Sequence, residues 1–175
     1  MYQLYAAPLS RIIIFMVIGN VAWIVAAVCM KKKKKLWRTI NSVFLVIAIG
    51  GIIYETMWNR TGGTRSIEWI PFITFAKAKI QPEYYRTMLM NVFLFFPFGL
   101  TFPFVISDRV RYAFLKSTLT ACALSIIIET LQFALCVGYS EMDDIIMNTI
   151  GAAIGGVAYL VSSLINGKFE SHISL

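Results

Sequence analysis

The chain has 175 residues, of which 58% are hydrophobic and only 14% are charged. This composition is too apolar for a water-soluble domain of this size, and it predicts one membrane domain over residues 1–175. The formal net charge of +7 comes from basic residues at the ends of apolar segments, including the block Lys31 to Lys35. That placement indicates membrane orientation and contact with anionic lipid, and argues against a nucleic-acid partner.

The three cysteines Cys29, Cys122 and Cys136 all lie inside apolar runs. Neither a disulfide framework nor a cluster of metal ligands is expected there. We interpret them as packing residues, and we expect no metal site and no cofactor.

Five apolar segments are long enough to cross a bilayer. We therefore expect an all-α fold, a polytopic membrane bundle of about five transmembrane helices. The predicted spans cover residues 12–30, 37–58, 87–107, 117–137 and 144–165. Because the lysine block follows the first apolar core, this segment is a permanent span rather than a signal peptide. The positive-inside rule places the block in the cytoplasm, with the N-terminus outside and the C-terminus cytoplasmic.

The third span contains Pro97 and Pro103 with Gly99 between them, and each proline removes one helical hydrogen bond. We expect this helix to kink or break, with Asn91 pointing inward before the break. Glu55, near the outer end of the second span, is interpreted as a carboxylate that snorkels to the interface rather than as a site residue.

The two loops differ in character. The outer loop, residues 59–86, contains a run of aromatic and isoleucine residues that favours an interfacial segment in the headgroup layer, with a plain connecting loop as an equal alternative. Residues 108–116 are interpreted as a short inner loop.

Glu129 lies near the middle of the fourth predicted span. An ionisable group at the centre of a membrane helix costs about 2.5 to 3.5 kcal/mol and usually marks a working site. Steps of three or four residues place further polar side chains on the same helical face. That face carries Thr118, Cys122, Ser125, Glu129, Gln132 and Cys136.

The fifth predicted span has a matching face with Asp144, Asn148 and Gly155. Gly151 and Gly155 form a small-xxx-small ridge at which another backbone can approach closely. Since only a short hinge separates the fourth and fifth spans, they should be antiparallel neighbours whose polar faces meet.

The hinge itself carries Glu141, Asp143 and Asp144, and Asp143 is well placed to cap the fifth helix. Capping does not account for Glu129 or Asn148, which lie deeper in the helices. We therefore expect a polar pocket that opens to the outer leaflet.

Three ordered motifs in this chain resemble the VanZ-like family, small integral membrane proteins named for a teicoplanin-resistance determinant. The motifs are N-x-x-L-F-x-P-x-G from Asn91, E-x-x-Q at Glu129 and Gln132, and E-x-D-D-x-x-x-N-T-x-G from Glu141. Arg65 and Pro71 stand where the family tends to carry an arginine and an N-L-I-P-like turn, although the turn here reads EWIP. Tyr139 stands where members often have an arginine. The resemblance covers roughly residues 37–159.

The resemblance implies lowered susceptibility to teicoplanin and related lipoglycopeptides at the cell envelope, without implying a mechanism. The expected partner is a membrane lipid, a lipid-linked cell-wall precursor or the lipoglycopeptide itself. The residues expected to bind it are Arg65, Asn91, Glu129, Gln132, Glu141, Asp143, Asp144 and Asn148.

Two other classes remain open. One is an intramembrane enzyme that uses Glu129, Asp143 and Asp144, but no histidine lies in a predicted span and no nucleophile has an evident base. The other is a purely structural bundle in which the polar residues lock helices together. A binding protein is favoured over an enzyme.

Overall fold

The structure is a computed structural model that describes residues 9–58, 66–106 and 110–167. In this part of the chain five helices are long and apolar enough to cross a membrane, which confirms the predicted membrane helix bundle. The spans are α1 (Leu9–Cys29), α2 (Lys34–Ile53), α4 (Glu83–Ile106), α5 (Val110–Leu135) and α6 (Met142–Ile165). A π-helical segment, Tyr54–Trp58, continues α2. The remaining elements are a short helix α3 (Ile73–Ile80) and two strands, β1 (Ser66–Glu68) and β2 (Tyr139–Glu141).

The start of α5 corrects one sequence interpretation. Residues 108–116 were expected to form a loop, but the chain is helical from Val110 onwards. Arg111 and Lys116 are exposed on the first turns of this helix. Charged residues at the membrane surface need not end a helix, because the helix can keep its internal backbone hydrogen bonds where it extends into water.

Helices α4 and α6 form the centre of the bundle. In the most apolar stretch of each helix, 44% of α4 and 50% of α6 is buried. The corresponding shares are 17% for α1, 22% for α2 and 28% for α5. Phe96 and Met147 belong to a core cluster shared with α1, and Phe95 and Ala152 belong to a second one shared with α2 and α5. The three peripheral helices therefore present most of their apolar surface to lipid.

The predicted glycine ridge on α6 is a close contact, and its partner is α4. A Cβ atom on Gly151 would lie 2.1 Å from the carbonyl oxygen of Val92, and one on Gly155 would lie 2.2 Å from that of Phe96. Gly99 makes the equivalent contact from α4, since a Cβ there would lie 1.9 Å from the carbonyl oxygen of Ala152. Only glycine allows the two backbones to approach this closely.

Helix α4 passes through Pro97 and Pro103 without interruption, so the chain does not break at either proline. The Thr101 hydroxyl donates to the carbonyl oxygen of Pro97 at 2.8 Å. Pro103 leaves the carbonyl of Gly99 without its helical donor. That oxygen lies 3.8 Å from where a Cβ on Gly156 would be, so it faces the backbone of α6. The predicted kink stays a prediction.

The segment between α2 and α4 is more structured than a plain loop. Strand β1 pairs in parallel with β2, with Ser66 opposite Tyr139 and Glu68 opposite Glu141. Helix α3 follows β1, and residues 66–80 are called the cap segment below. Trp69, Ile70, Phe72 and Ile80 of the cap segment are exposed. Their apolar surface is consistent with the headgroup layer, and this location stays a prediction.

Candidate functional site

The polar residues singled out from the sequence gather at the end of the bundle that carries the cap segment. Asn91 lies on α4, Glu129 and Gln132 lie on α5, and the others lie on β2 or at the start of α6. Arg65 lies outside the described residues. The packed face of α5 is close to the predicted one. Ser125, Glu129 and Gln132 are buried as predicted, whereas Thr118, Cys122 and Cys136 are only half-buried. The other buried residues of α5 are Val110, Ala113, Ser117, Ala121 and Ile128.

Glu129 is 3% exposed, and its carboxylate is tied to the hinge. Its Oε2 atom accepts a hydrogen bond from the backbone N–H of Glu141 at 3.0 Å. Glu141 is the last residue of β2, so this bond holds the strand down on α5. The carboxylate of Glu129 therefore bonds to the backbone of β2, the strand that pairs with β1 of the cap segment.

Gln132 is fully buried and joins α5 to the end of α2. Its Nε2 atom donates to the backbone carbonyl of Thr56 at 2.9 Å. Thr56 lies in the π-helical segment, near a helix end where carbonyls lack helical donors. The side-chain oxygen of Gln132 is buried without a hydrogen-bond partner among the described residues.

Helix α5 ends within one turn of Gln132, in a C-terminal cap. Cys136 adopts a left-handed backbone conformation, with φ of 55°. The backbone N–H of Val137 donates to the carbonyl of Gln132 at 3.1 Å. This is the bond pattern of a Schellman C-cap, and it turns the chain sharply into the hinge.

The polar faces of α5 and α6 meet as predicted, at Asn148 and Ser125. Asn148 Nδ2 donates to Ser125 Oγ at 2.8 Å, and both residues are buried. The Asn148 side-chain oxygen has no partner in the described part of the chain. One polar contact between these helices is therefore satisfied, while one amide oxygen at the same place is not.

Asp144 turns towards α4 instead of α5. Its Oδ1 atom accepts a hydrogen bond from Asn91 Nδ2 at 2.5 Å. The contact joins the first of the three sequence motifs to the last. Asn91 points inward, as expected from its position before Pro97.

Asp143 has a different role from the predicted one. The structure gives α6 no side-chain cap, and its N-cap position is Glu141. Asp143 is 1% exposed, and it caps α3. Its two carboxylate oxygens accept from the backbone N–H groups of Phe72 at 2.5 Å and Thr74 at 2.8 Å. Sequence spacing could not reveal this, because the capped helix lies in a distant loop.

The cap segment adds an ion pair beside the hinge. Lys77 Nζ lies 3.0 Å from Glu68 Oε2, and both side chains are about one-third exposed. The hydrogen bond to Glu68 raises the pKa of Lys77 above its ordinary value of 10.5. Partial burial opposes this shift, while the charges of Glu68 and Glu141 reinforce it.

A groove of about 750 Å³ lies between α1, α2 and α4. Most of its lining is apolar, as with Phe15, Phe44 and Leu100. At the end nearest the cap segment the lining includes Glu55, Thr56 and Asn91. Thr101 lines the other end, and its hydroxyl, like that of Thr56, donates to a backbone carbonyl of its own helix. Sequence reasoning missed Glu55 and Thr56 as site residues. The signal for Glu55 was present, since it is a carboxylate within an apolar span.

The groove lining includes Asn91 but does not include Glu129, Gln132, Asp143 or Asn148. These four residues form hydrogen bonds with the backbone or with another side chain instead. Within residues 9–58, 66–106 and 110–167, no group of three or more histidine, cysteine or acidic residues is arranged to hold a metal ion.

Comparisons with known proteins agree with the sequence motifs. A model of the VanZ/LLP1 family matches residues 39–165. Protein VanZ from Enterococcus faecium is 27% identical over 134 residues, which is 74% of this chain and 77% of that protein. No solved structure matches the chain.

Proposed function

The chain belongs to the VanZ/LLP1 family and is a multi-pass membrane protein, and from this premise we propose that it lowers susceptibility to teicoplanin or related lipoglycopeptides. The proposed means is the binding of an amphiphile in the groove between α1, α2 and α4. The observation that carries the proposal is the change of lining along this groove, from apolar side chains to Glu55, Thr56 and Asn91.

This lining suits a molecule with an acyl chain and a polar head. The apolar side chains would contact the acyl chain, because the removal of apolar surface from water is favourable. The carboxylate of Glu55 and the amide of Asn91 would hydrogen-bond to the hydroxyl, amide or ammonium groups of a head. A lipid-linked cell-wall precursor and a lipoglycopeptide both have this amphiphilic character.

The family motif residues support the groove from behind. Asp144 fixes the side chain of Asn91, and Gln132 fixes the backbone of Thr56. A polar group that is held by such an outer layer keeps its orientation for a ligand. The motifs on α5 and α6 therefore serve the groove without lining it.

The groove end with Glu55 and Asn91 is proposed to face the outer leaflet, with the lysine block and the C-terminus in the cytoplasm. The support is the positive-inside rule, because Lys31 to Lys35 lie at the opposite end of the bundle. An envelope antibiotic or a translocated precursor would be met on that outer side.

A pair of adjacent glycines tests the proposal. A Cβ atom at Gly50 or at Gly51 meets nothing within 4 Å, but only Gly51 is part of the groove lining. Gly51→Leu should fill the groove and abolish protection against teicoplanin, while Gly50→Leu should retain it at equal membrane abundance. Full protection by Gly51→Leu, with the protein present at wild-type level, would contradict the proposal.

A second candidate is a bundle whose carboxylates serve only the fold. It is favoured by one observation: Glu129 and Asp143 each accept hydrogen bonds from backbone amides. The two candidates predict different levels of protection against teicoplanin when the charge of Glu129 is removed and its acceptor oxygen is kept.

A further inference from the structure

A second cavity, of about 600 Å³, lies at the opposite end of the bundle. Its lining comes from the end of α1 and the residues that follow it, the first turns of α2, the end of α4 and the end of α6. None of the described residues that the sequence predicts to bind a ligand belongs to it. It is called the basic cavity below.

The basic cavity has a cationic rim. Four of its lining residues are lysines from the block after α1, and the fifth cation is Arg38. All five side chains are exposed, and none of the described residues that line the cavity is acidic. Like charges that converge without a counter-charge repel one another, and an anion bound among them would relieve that repulsion. The rim residues are Lys31, Lys32, Lys34, Lys35 and Arg38.

The inner wall is partly polar, and two of its buried polar atoms lack a hydrogen-bond partner among the described residues. Ser162 and Ser163 are 1% and 2% exposed, and both line the cavity. The indole N–H of Trp37, another lining residue, is buried without a hydrogen-bond partner in the described part of the chain. An indole nitrogen can only donate, so its missing partner must be an acceptor. Asn166 Oδ1 also lacks a partner there, and as an acceptor it would need a donor such as a hydroxyl.

The rest of the wall is apolar. Ala27 and Met30 come from the end of α1, while Phe104 and Tyr159 pack edge to face at 4.9 Å. A soluble anion would gain nothing from such a surface. An anion attached to acyl chains would place them along it.

From the cationic rim, the unpartnered indole N–H and the apolar wall together, we propose that the basic cavity binds the phosphate of an anionic phospholipid from the adjoining leaflet. The lysines and Arg38 contact the phosphate oxygens, and Trp37 donates its N–H to one of them. The hydroxyl groups of a glycerol head supply the donors that Asn166 needs. Arg38 is suited to this role because a guanidinium binds phosphate through two parallel hydrogen bonds. This site is separate from the groove of the proposed function and does not depend on it.

The test compares two phospholipids whose acyl chains are the same, one with an anionic head that carries hydroxyl groups and one with a zwitterionic head that carries none. The full chain, purified in a neutral detergent, is titrated with phosphatidylglycerol or with phosphatidylcholine of the same acyl chains. Thermal unfolding and the lipid retained in native mass spectrometry are measured. Phosphatidylglycerol should raise the unfolding temperature and stay bound, while phosphatidylcholine should have a much smaller effect. Equal effects of the two lipids would overturn the proposal.

Variants locate the effect. Arg38→Gln should weaken the phosphatidylglycerol response roughly tenfold in apparent affinity, since it removes charge-assisted hydrogen bonds. Trp37→Phe should weaken it as well, with little change in the unfolding temperature without lipid, because the ring contacts are kept. Arg111→Gln is the matched control, since it removes one exposed positive charge from the same end of the bundle outside the cavity. Equal losses in Arg38→Gln and Arg111→Gln would show a diffuse surface effect and overturn the site.

A further arm separates lipid from soluble phosphate. Inorganic phosphate at the same concentration should not reproduce the stabilisation, because it has no acyl chains for the apolar wall. If inorganic phosphate stabilises the protein as strongly as phosphatidylglycerol, the lipid assignment is wrong.

Discussion

The carboxylate of Asp143, on the first turn of α6, accepts a hydrogen bond from the backbone N–H of Thr74 at the start of α3. A second bond comes from the backbone N–H of Phe72, whose φ of 64° is left-handed. A non-glycine residue in that region is strained by about 1 to 2 kcal/mol, so the capping bonds help to hold the turn. One buried side chain thus attaches a surface helix to the most buried span of the bundle.

Removal of this carboxylate should loosen the cap segment first. We expect Asp143→Ala to cost about 1 to 2 kcal/mol of stability, as for a lost N-cap, and Asp143→Asn to cost less because one acceptor oxygen remains. Hydrogen exchange of the α3 amides and thermal unfolding would measure both effects. Glu83→Gln, at an exposed acid nearby, is the control. Unchanged exchange in α3 after Asp143→Ala would contradict the capping role.

The glycine contact between α4 and α6 predicts opposite effects for one methyl group at two positions. Gly155→Ala should destabilise the protein by about 1 to 3 kcal/mol, because its Cβ would overlap the backbone of Phe96. Gly50→Ala meets open space and should be neutral or stabilising by up to about 1 kcal/mol, through helix propensity. Thermal unfolding in detergent would compare the two. Wild-type stability in Gly155→Ala would show that the helices do not approach this closely.

The charge of Glu129 is expected to serve function. Glu129→Gln keeps an oxygen that can accept the Glu141 amide, so the protein should fold and reach the membrane. Because a buried carboxylate is costly to hold, a merely structural one should be replaceable without harm. We expect protection against teicoplanin to fall while the unfolding temperature stays near that of the wild type. Wild-type protection would assign this carboxylate to helix packing.

The proposed topology can be tested by cysteine labelling from outside the cell. With the three native cysteines replaced, Gln81→Cys near the cap segment should be labelled and Arg111→Cys at the lysine end should be protected. Both positions are exposed, whereas Ser140 in the hinge is 5% exposed and would label poorly in either orientation. The reverse pattern would invert the proposed orientation.

The Lys77–Glu68 pair predicts a pH dependence at the alkaline end. Since the pKa of Lys77 is raised on folding, the contribution of the pair is complete below the unfolded value of 10.5 and is lost as the pH rises through the higher folded value. The unfolding temperature of the wild type minus that of Glu68→Gln should be small, because solvent screens the pair. It should be constant at neutral pH and shrink above pH 10.5. A difference that grows with pH in this range would contradict the assignment.

The five spans could be predicted because length and apolarity are local properties of the chain. The position of α5 shows the limit, since Arg111 and Lys116 suggested a loop where the helix continues. The π-helical segment Tyr54–Trp58 had no signal, because its register depends on what packs around it.

In the candidate site, too, some contacts could be predicted from the sequence and others could not. Helical spacing placed Ser125 and Glu129 on one face of α5, and the short hinge brought Asn148 against that face. The bond from Gln132 to Thr56 joins residues 76 positions apart, and no periodicity relates them. The groove also could not be predicted, since its lining comes from three helices that are distant in sequence.

The parallel pairing of β1 with β2 has a consequence for the order of events during synthesis. Phe72 finds its acceptor 71 residues later in the chain, at the start of the last span. A ribosome releases the cap segment before that partner has been synthesised, so the segment at first lacks both its strand partner and its helix cap. The insertion of α6 would then complete the contacts at the end of the bundle that carries the cap segment.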